Sequence, residues 1–174
     1  MNFDGRFEHL LDPKARVVVP ARLRGGFATR KAHVTAYMGG CLAVWTPEGY
    51  ERLYLSLAHK LQRLRPDMSL ALSSHSEDIE LDAQWRLTIP PELVDYAQLE
   101  LGKTLVVAGN VNHIELWRPD EWAKRTGPCL DELRRGTSDL FALLFSDGGD
   151  ESEPSQVAPA PVGAVPALAG EVAP

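Results

Sequence analysis

Two aspartates and two arginines raise the first chemical question of this sequence. Asp12 and Arg16 stand in LDPKARVVVP (Leu11–Pro20), and Asp82 and Arg86 in LDAQWRLTIP (Leu81–Pro90). Two carboxylates related by a repeat could meet as the proton-sharing pair of an acid protease. Such a site needs Ser/Thr-Gly directly after each Asp to position the shared proton, and Pro13 and Ala83 stand there instead. Other catalytic arrangements fare no better. His9, His33, His59, His75 and His113 are scattered, and neither an H-E-x-x-H pair nor a Gly-x-x-x-x-Gly-Lys phosphate loop occurs. Gly25-Gly26 and Gly39-Gly40 read as turn glycines. Cys41 and Cys129 lie far apart without C-x-x-C spacing, so neither a zinc site nor a disulfide framework is indicated. The expectation is a protein that is not an enzyme, with no metal, cofactor or small-molecule substrate.

The other chemistry open to these residues is recognition. Asp-Pro opens a turn, since the carboxylate accepts backbone N–H bonds and proline presets φ. The β-branched run Val17–Val19 then reads as a strand, which Pro20 ends. Each motif is thus expected to form a hairpin with Asp entering its turn and Arg leaving it. Four residues apart across a tight turn, the two can pair, which aims the guanidinium. The blander reading makes Asp12 and Asp82 turn residues and the arginines their ion-pair partners. An exposed ion pair adds little stability, a weak reason to build one twice, so a functional arginine is favoured. Lys14 and Gln84 sit at matching turn tips, open to phosphate and base respectively, or merely to solvent. Arg22, Arg24, Arg30 and Lys31 are surface charges with phosphate contact as their sharper option. Trp85 has four choices: stacking on a base or sugar, packing on Arg86, plugging a subunit contact, or folding back on its own hairpin.

The elements that must position these residues occur twice. Leu11/Leu81, Asp12/Asp82, Arg16/Arg86, Pro20/Pro90 and Leu23/Leu93 match at an offset of 70, while Leu42–Val44–Trp45 returns as Ile114–Leu116–Trp117 at 72. The chain is a duplicated unit with two residues slipped into its second copy. In the first copy we expect a strand within Met1–Leu11, a short helical turn at Pro20–Arg24, and strands at His33–Ala36 and Leu42–Trp45. Thr46 then caps a helix with Pro47 at its first position. Tyr50, Leu53, Tyr54, Leu57, Leu61 and Leu64 give that helix one apolar face, and Pro66 stops it. In the second copy we expect strands at Asp78–Leu81 and Arg86–Ile89 and a short helix at Pro90–Leu99. A hairpin of Thr104–Ala108 with His113–Trp117 should turn on Gly109-Asn110. A helix over Pro119–Arg125 should end at Gly127-Pro128, and a last one should span Cys129–Phe145 and end in LFALLF. From Ser146 the chain is Pro, Ala, Gly and acid without an aromatic, a composition that builds no core and reads as disordered. Each copy alone is too small to bury a secure core, so the two should share one.

Charge bounds the partners. The net charge is −6. Five acids and no base lie beyond Ser146, so residues 1–146 hold eighteen bases against nineteen acids. Residues 1–40 hold seven bases against three acids, a basic start compatible with nucleic acid. The N-terminus lacks the apolar stretch of a signal peptide, and no run approaches membrane-spanning length. A soluble, cytosolic protein is the expectation.

Asp-x-x-x-Arg, an apolar strand and Pro, present twice and closed by GCLAVW and IELW, closely resembles the MraZ family over roughly Met1–Phe145. These are bacterial transcription regulators built of two tandem AbrB-like (SpoVT-AbrB) units. The resemblance implies an α+β fold, a swapped-hairpin β-barrel made jointly by the two repeats with peripheral helices. The implied layout is residues 1–66 and 67–126 as the repeats, 127–146 as a C-terminal helix and 147–174 as an acidic tail. It implies sequence-specific contact with double-stranded DNA at promoter repeats of cell-division and cell-wall genes, at the nucleoid. Lys14, Arg16, Gln84 and Arg86, with Arg22 and Arg24, would be the DNA-binding residues, and Asp12 and Asp82 would position the turns. It implies a ring-shaped homo-oligomer, whose repeated contacts would offset the weak charge of one subunit. Two rivals are an AbrB-like antitoxin, for which the tail lacks aromatic anchors, and a ring-forming paralogue without specific DNA binding. The family commonly has Gly before the motif arginine; here Ala15 and Trp85 stand there. If that position needs positive φ, a side chain costs about 1–2 kcal/mol.

Overall fold

Asp12 and Asp82 each turn the chain as expected, but the strand leaving each turn does not fold back on the strand entering it. In the computed structural model, which describes residues 2–136, β1 (Arg6–Leu10) instead pairs with β7 (Thr104–Asn110) of the second repeat. By the same exchange β5 (Ser76–Glu80) pairs with β3 (Lys31–Tyr37) of the first. The strands after the turns, β2 (Arg16–Val18) and β6 (Arg86–Thr88), pair only with each other, antiparallel. The simple hairpin expected for each motif is thus corrected. A three-residue strand folded on its own hairpin could not cover Val17 or Leu87. Exchange places both in the common core, 1% exposed each, where burial of such a side chain is worth about 1.5–3 kcal/mol.

β4 (Cys41–Trp45) and β8 (His113–Trp117) complete a six-stranded antiparallel sheet in the order β1-β7-β8-β4-β3-β5, with β2–β6 as a separate two-stranded ribbon. Every residue of β4 and β8 is buried; β4 is accordingly apolar throughout, while β8 alternates and buries His113 and Glu115 among its apolar residues. Leu11, Val17, Leu23, Phe27, Val34 and Leu42 join Leu81, Leu87, Leu93, Leu105, Ile114 and Leu116 in one apolar cluster. Both repeats therefore share a core. Their offset is less simple than a two-residue insertion. Glu80 faces Lys31 as Leu10 faces Thr104, an offset of 73, which the shorter β7–β8 turn reduces to 72 at Trp45/Trp117.

The helices follow their predicted starts more closely than their predicted ends. Thr46 Oγ1 accepts the Gly49 N–H at 3.0 Å and opens α1 (Pro47–Leu64). Pro66 both ends α1 and occupies the first position of α2 (Pro66–Ser74), a helix beyond those expected from the sequence. α3 spans Pro91–Tyr96, and Ala21–Phe27 form a 3-10 turn at the matching place in the first repeat. α4 (Pro119–Arg135) runs through Gly127-Pro128, where a break was expected. Proline there removes a single bond, to the Lys124 carbonyl, on a helix with no buried residue, so water can replace it. The remainder of the expected last helix, with LFALLF, and the acidic tail lie outside the described residues. The β7–β8 turn falls on Val111-Asn112, not on Gly109-Asn110. Gly109 serves a different need: a Cβ there would meet the Phe3 carbonyl carbon at 2.5 Å, where the N-terminal segment crosses β7.

Candidate nucleic-acid interface

Each Asp-x-x-x-Arg loop is built by one carboxylate. Asp12 Oδ1 accepts the N–H groups of Lys14 (2.8 Å) and Arg16 (3.0 Å), while Oδ2 accepts Arg16 Nε at 2.7 Å. Asp82 repeats the pattern with Gln84 N (2.8 Å), Arg86 N (2.9 Å) and Arg86 Nε (2.6 Å). The aspartate closes the turn and holds the guanidinium edge at once. The charge-assisted bond from the Arg16 side chain, aided by the backbone N–H groups, holds the Asp12 carboxyl down at about 2 against partial desolvation. Asp82 is lowered likewise, first by the Arg86 backbone N–H.

The residue before each arginine does adopt positive φ: 55° at Ala15 and 63° at Trp85. This left-handed step carries the chain from the turn into the ribbon. The Ala15 carbonyl accepts from Ile89 N, and the Trp85 carbonyl from Val19 N, both at 2.8 Å, so each loop is tied to the other repeat's strand.

The ribbon decides where the arginines go. Arg16 faces Thr88, Val17 faces Leu87 and Val18 faces Arg86. Because side chains alternate, Val17 and Leu87 enter the core and Arg16, Val18, Arg86 and Thr88 share the outer face. Arg16 and Arg86 are diagonal neighbours there, a relation that sets the two residues roughly 7–8 Å apart and their Cβ atoms somewhat closer. Lys14 and Gln84 are exposed at the two tips, and Arg22 is exposed on the 3-10 turn.

Arg24 and Trp85 have intramolecular partners. Arg24 Nε donates to the Val19 carbonyl at 2.9 Å, and its guanidinium lies 5.5 Å from the centre of the Trp85 ring. Arg30, which sequence reading left among the surface charges, lies 4.7 Å from that ring centre and donates to the Asp82 carbonyl at 2.6 Å. Trp85 therefore takes a contact outside the four options considered: it packs on arginines of the other repeat. The chain separation concealed this, and the one local sign was a tryptophan where the first copy has alanine.

A buried polar group elsewhere was also missed. Glu115 accepts from Trp117 Nε1 (2.7 Å) and Asn110 Nδ2 (2.9 Å), with His113 Nε2 at 3.2 Å. Burial pushes this carboxyl up, but the three bonds outweigh it and hold it below its ordinary value. Among the described residues no His, Cys, Asp or Glu cluster could hold a metal ion, and no helix is long and apolar enough to cross a membrane.

A duplicated α+β chain that displays two carboxylate-braced arginines on one ribbon defines a class of recognition module. The sequence model of the family described as "MraZ protein, putative antitoxin-like" matches residues 2–67 and 72–128. The transcriptional regulator MraZ of Clostridium beijerinckii is 34% identical over 135 residues, covering 74% of this chain and 90% of that protein. The transcriptional regulator MraZ of Thioalkalivibrio sulfidiphilus is 34% identical over 141 residues, covering 78% and 92%. A Pyrococcus horikoshii protein, PHS018, solved in solution, overlaps 68% of this chain at 14% identity and a TM-score of 0.30, too slight a likeness to carry weight. The chain belongs to the MraZ family.

Proposed function

We propose that this protein is a sequence-specific DNA-binding regulator of transcription that reads promoter repeats with the β2–β6 ribbon and its two loops. The observation that carries this reading is the pair Arg16 and Arg86 on one outer face, each braced by an aspartate. The major groove admits a two-stranded ribbon, and arginine bonds two acceptors of guanine there. Lys14 is suited to phosphate, Gln84 to a base edge, and Arg22 to phosphate beside the ribbon. The name carried by the relatives, transcriptional regulator, agrees with this. The loops also keep positive φ despite Ala15 and Trp85, which favours a working reader over a paralogue that has lost DNA binding.

The reading includes a ring-shaped homo-oligomer acting at the nucleoid on cell-division and cell-wall promoters. In it the two sheets form the walls of a swapped-hairpin barrel over the common core. Tyr54, Leu57 and Leu64 on α1 and Met68 and Leu70 on α2 are exposed, which supplies apolar surface for building such an assembly. Several copies on direct repeats gain through effective concentration what one near-neutral subunit lacks.

The test is a gel-shift salt series on the protein's own upstream region and a scrambled control. Wild type should prefer the upstream DNA, and Arg16→Ala should lower that preference by about 1–3 kcal/mol while leaving the protein folded and its oligomer mass unchanged. No preference at any salt overturns the regulator reading. Unfolding of Arg16→Ala would make the arginine a structural ion-pair partner. A clean monomer in light scattering at micromolar concentration would overturn the ring.

A further inference from the structure

We propose that Arg24 and Arg30 are positioning residues that grip Trp85 and so fix the second DNA-reading loop, rather than phosphate ligands. This rests on the reading above for what the loop does, but the grip itself is defined without DNA.

Arg30, Arg24 and Val19 of the first repeat converge on residues 81–86. Arg30 makes three contacts: its guanidinium lies 4.7 Å from the Trp85 ring centre, it donates to the Asp82 carbonyl at 2.6 Å, and its own carbonyl accepts Leu81 N at 2.8 Å. Arg24 approaches the same ring at 5.5 Å while tethered to the Val19 carbonyl at 2.9 Å. Val19 N in turn bonds the Trp85 carbonyl at 2.8 Å, which closes a loop of contacts through Arg24, Val19 and Trp85. A guanidinium facing an indole is attracted by the negative ring face, the more so when water is partly excluded. Trp85 is only partly exposed and packs against the core cluster, so both conditions hold.

The first loop lacks the device. Lys103 takes the place of Arg30, since its carbonyl accepts Leu11 N at 2.9 Å as that of Arg30 accepts Leu81 N. Val94 stands 70 residues after Arg24, and Ala15 offers no ring. A duplicated unit has thus acquired on one side a ring and both of its cations. Arg30 commits a guanidinium N–H to the Asp82 carbonyl of the loop it grips, a bond that ties the two segments together with or without DNA.

Two measurements on the full chain decide it. The first is hydrogen exchange of the DNA-free protein, comparing wild type, Arg30→Gln, Trp85→Ala and Trp85→Phe. Arg30→Gln and Trp85→Ala should speed exchange in the peptide spanning residues 81–88 several-fold and leave residues 11–18 unchanged. Trp85→Phe, which keeps a ring face, should restore much of the protection. Unchanged exchange at 81–88 overturns the grip, whatever the protein does with DNA. The second is the salt series. Arg30→Gln should lower the preference for the upstream region about tenfold without changing its salt slope, because alignment of a base-reading arginine is lost and not a phosphate contact. A slope shallower by about 0.9 would identify Arg30 as a phosphate ligand and overturn the proposal. If wild type shows no preference at all, the regulator reading fails, while the exchange result still decides the grip.

Discussion

The two Asp-x-x-x-Arg loops are the same device in two settings. Their carboxylate bonds agree within a few tenths of an ångström, and both pass through the left-handed region before the arginine. The side chains around them differ. The first has Lys14 at its tip and the small Ala15 behind it; the second has neutral Gln84 at its tip and Trp85 in contact with Arg24 and Arg30. Identical turn chemistry thus serves one loop with charge at its tip and one fixed from behind. On the proposed reading the labour is divided, with affinity weighted to the first loop and alignment to the second.

The largest effect that could break this comparison comes from the arginines themselves. A base contact made by guanidinium is worth about 1–3 kcal/mol of discrimination. Arg16→Ala and Arg86→Ala should each lose that amount in the preference for the upstream DNA over a scrambled duplex. If just one of them does, the ribbon reads with one loop and the other is a scaffold.

The residue before each arginine should respond with opposite sign. Ala15→Gly relieves a side chain at positive φ and should raise stability by roughly 1 kcal/mol, read as a higher denaturation midpoint. Trp85→Gly relieves the same conformation but loses the ring, its burial and two cation contacts of about 0.5–2 kcal/mol each, so its midpoint should fall. Two midpoints that both rise would show that Trp85 contributes nothing beyond its backbone.

At the tips, Lys14→Ala should weaken binding to all sequences and flatten the salt dependence by about 0.9, as loss of a phosphate contact does. Gln84→Ala, which removes no charge, should leave the slope alone; a flattened slope for both would erase the distinction between the loops.

The smallest effect is in acid. Folding depresses the Asp12 carboxyl to about 2 from 3.8 and lowers Asp82 in the same direction. A depressed carboxyl contributes stability that is complete above its unfolded value and is lost as pH falls through the folded one. Between pH 4 and pH 2 the urea midpoint of wild type should therefore fall more steeply than that of Asp12→Asn. Parallel curves would mean that the Asp12 bonds do not survive in solution.

What the sequence determined by itself was the duplication and local structure. The duplication is read by matching residues at an offset of 70, and the Asp–Arg turns and the Thr46-Pro47 helix start are set by residues within a few positions of one another. Backbone sterics and short hydrogen bonds decide such features wherever the chain later goes. Beyond the expected hairpin of β7 and β8, strand partners were decided by the tertiary structure. Arg16 and Arg86 share a face because β2 pairs with β6, and Trp85 finds Arg24 and Arg30 because the repeats exchange their first strands. The same holds for Gly109, a turn signal in sequence that in the fold clears the path of Phe3. A strand carries its donors and acceptors without an address. Its partner is chosen by which apolar faces can be buried together, and that is a property of the whole core.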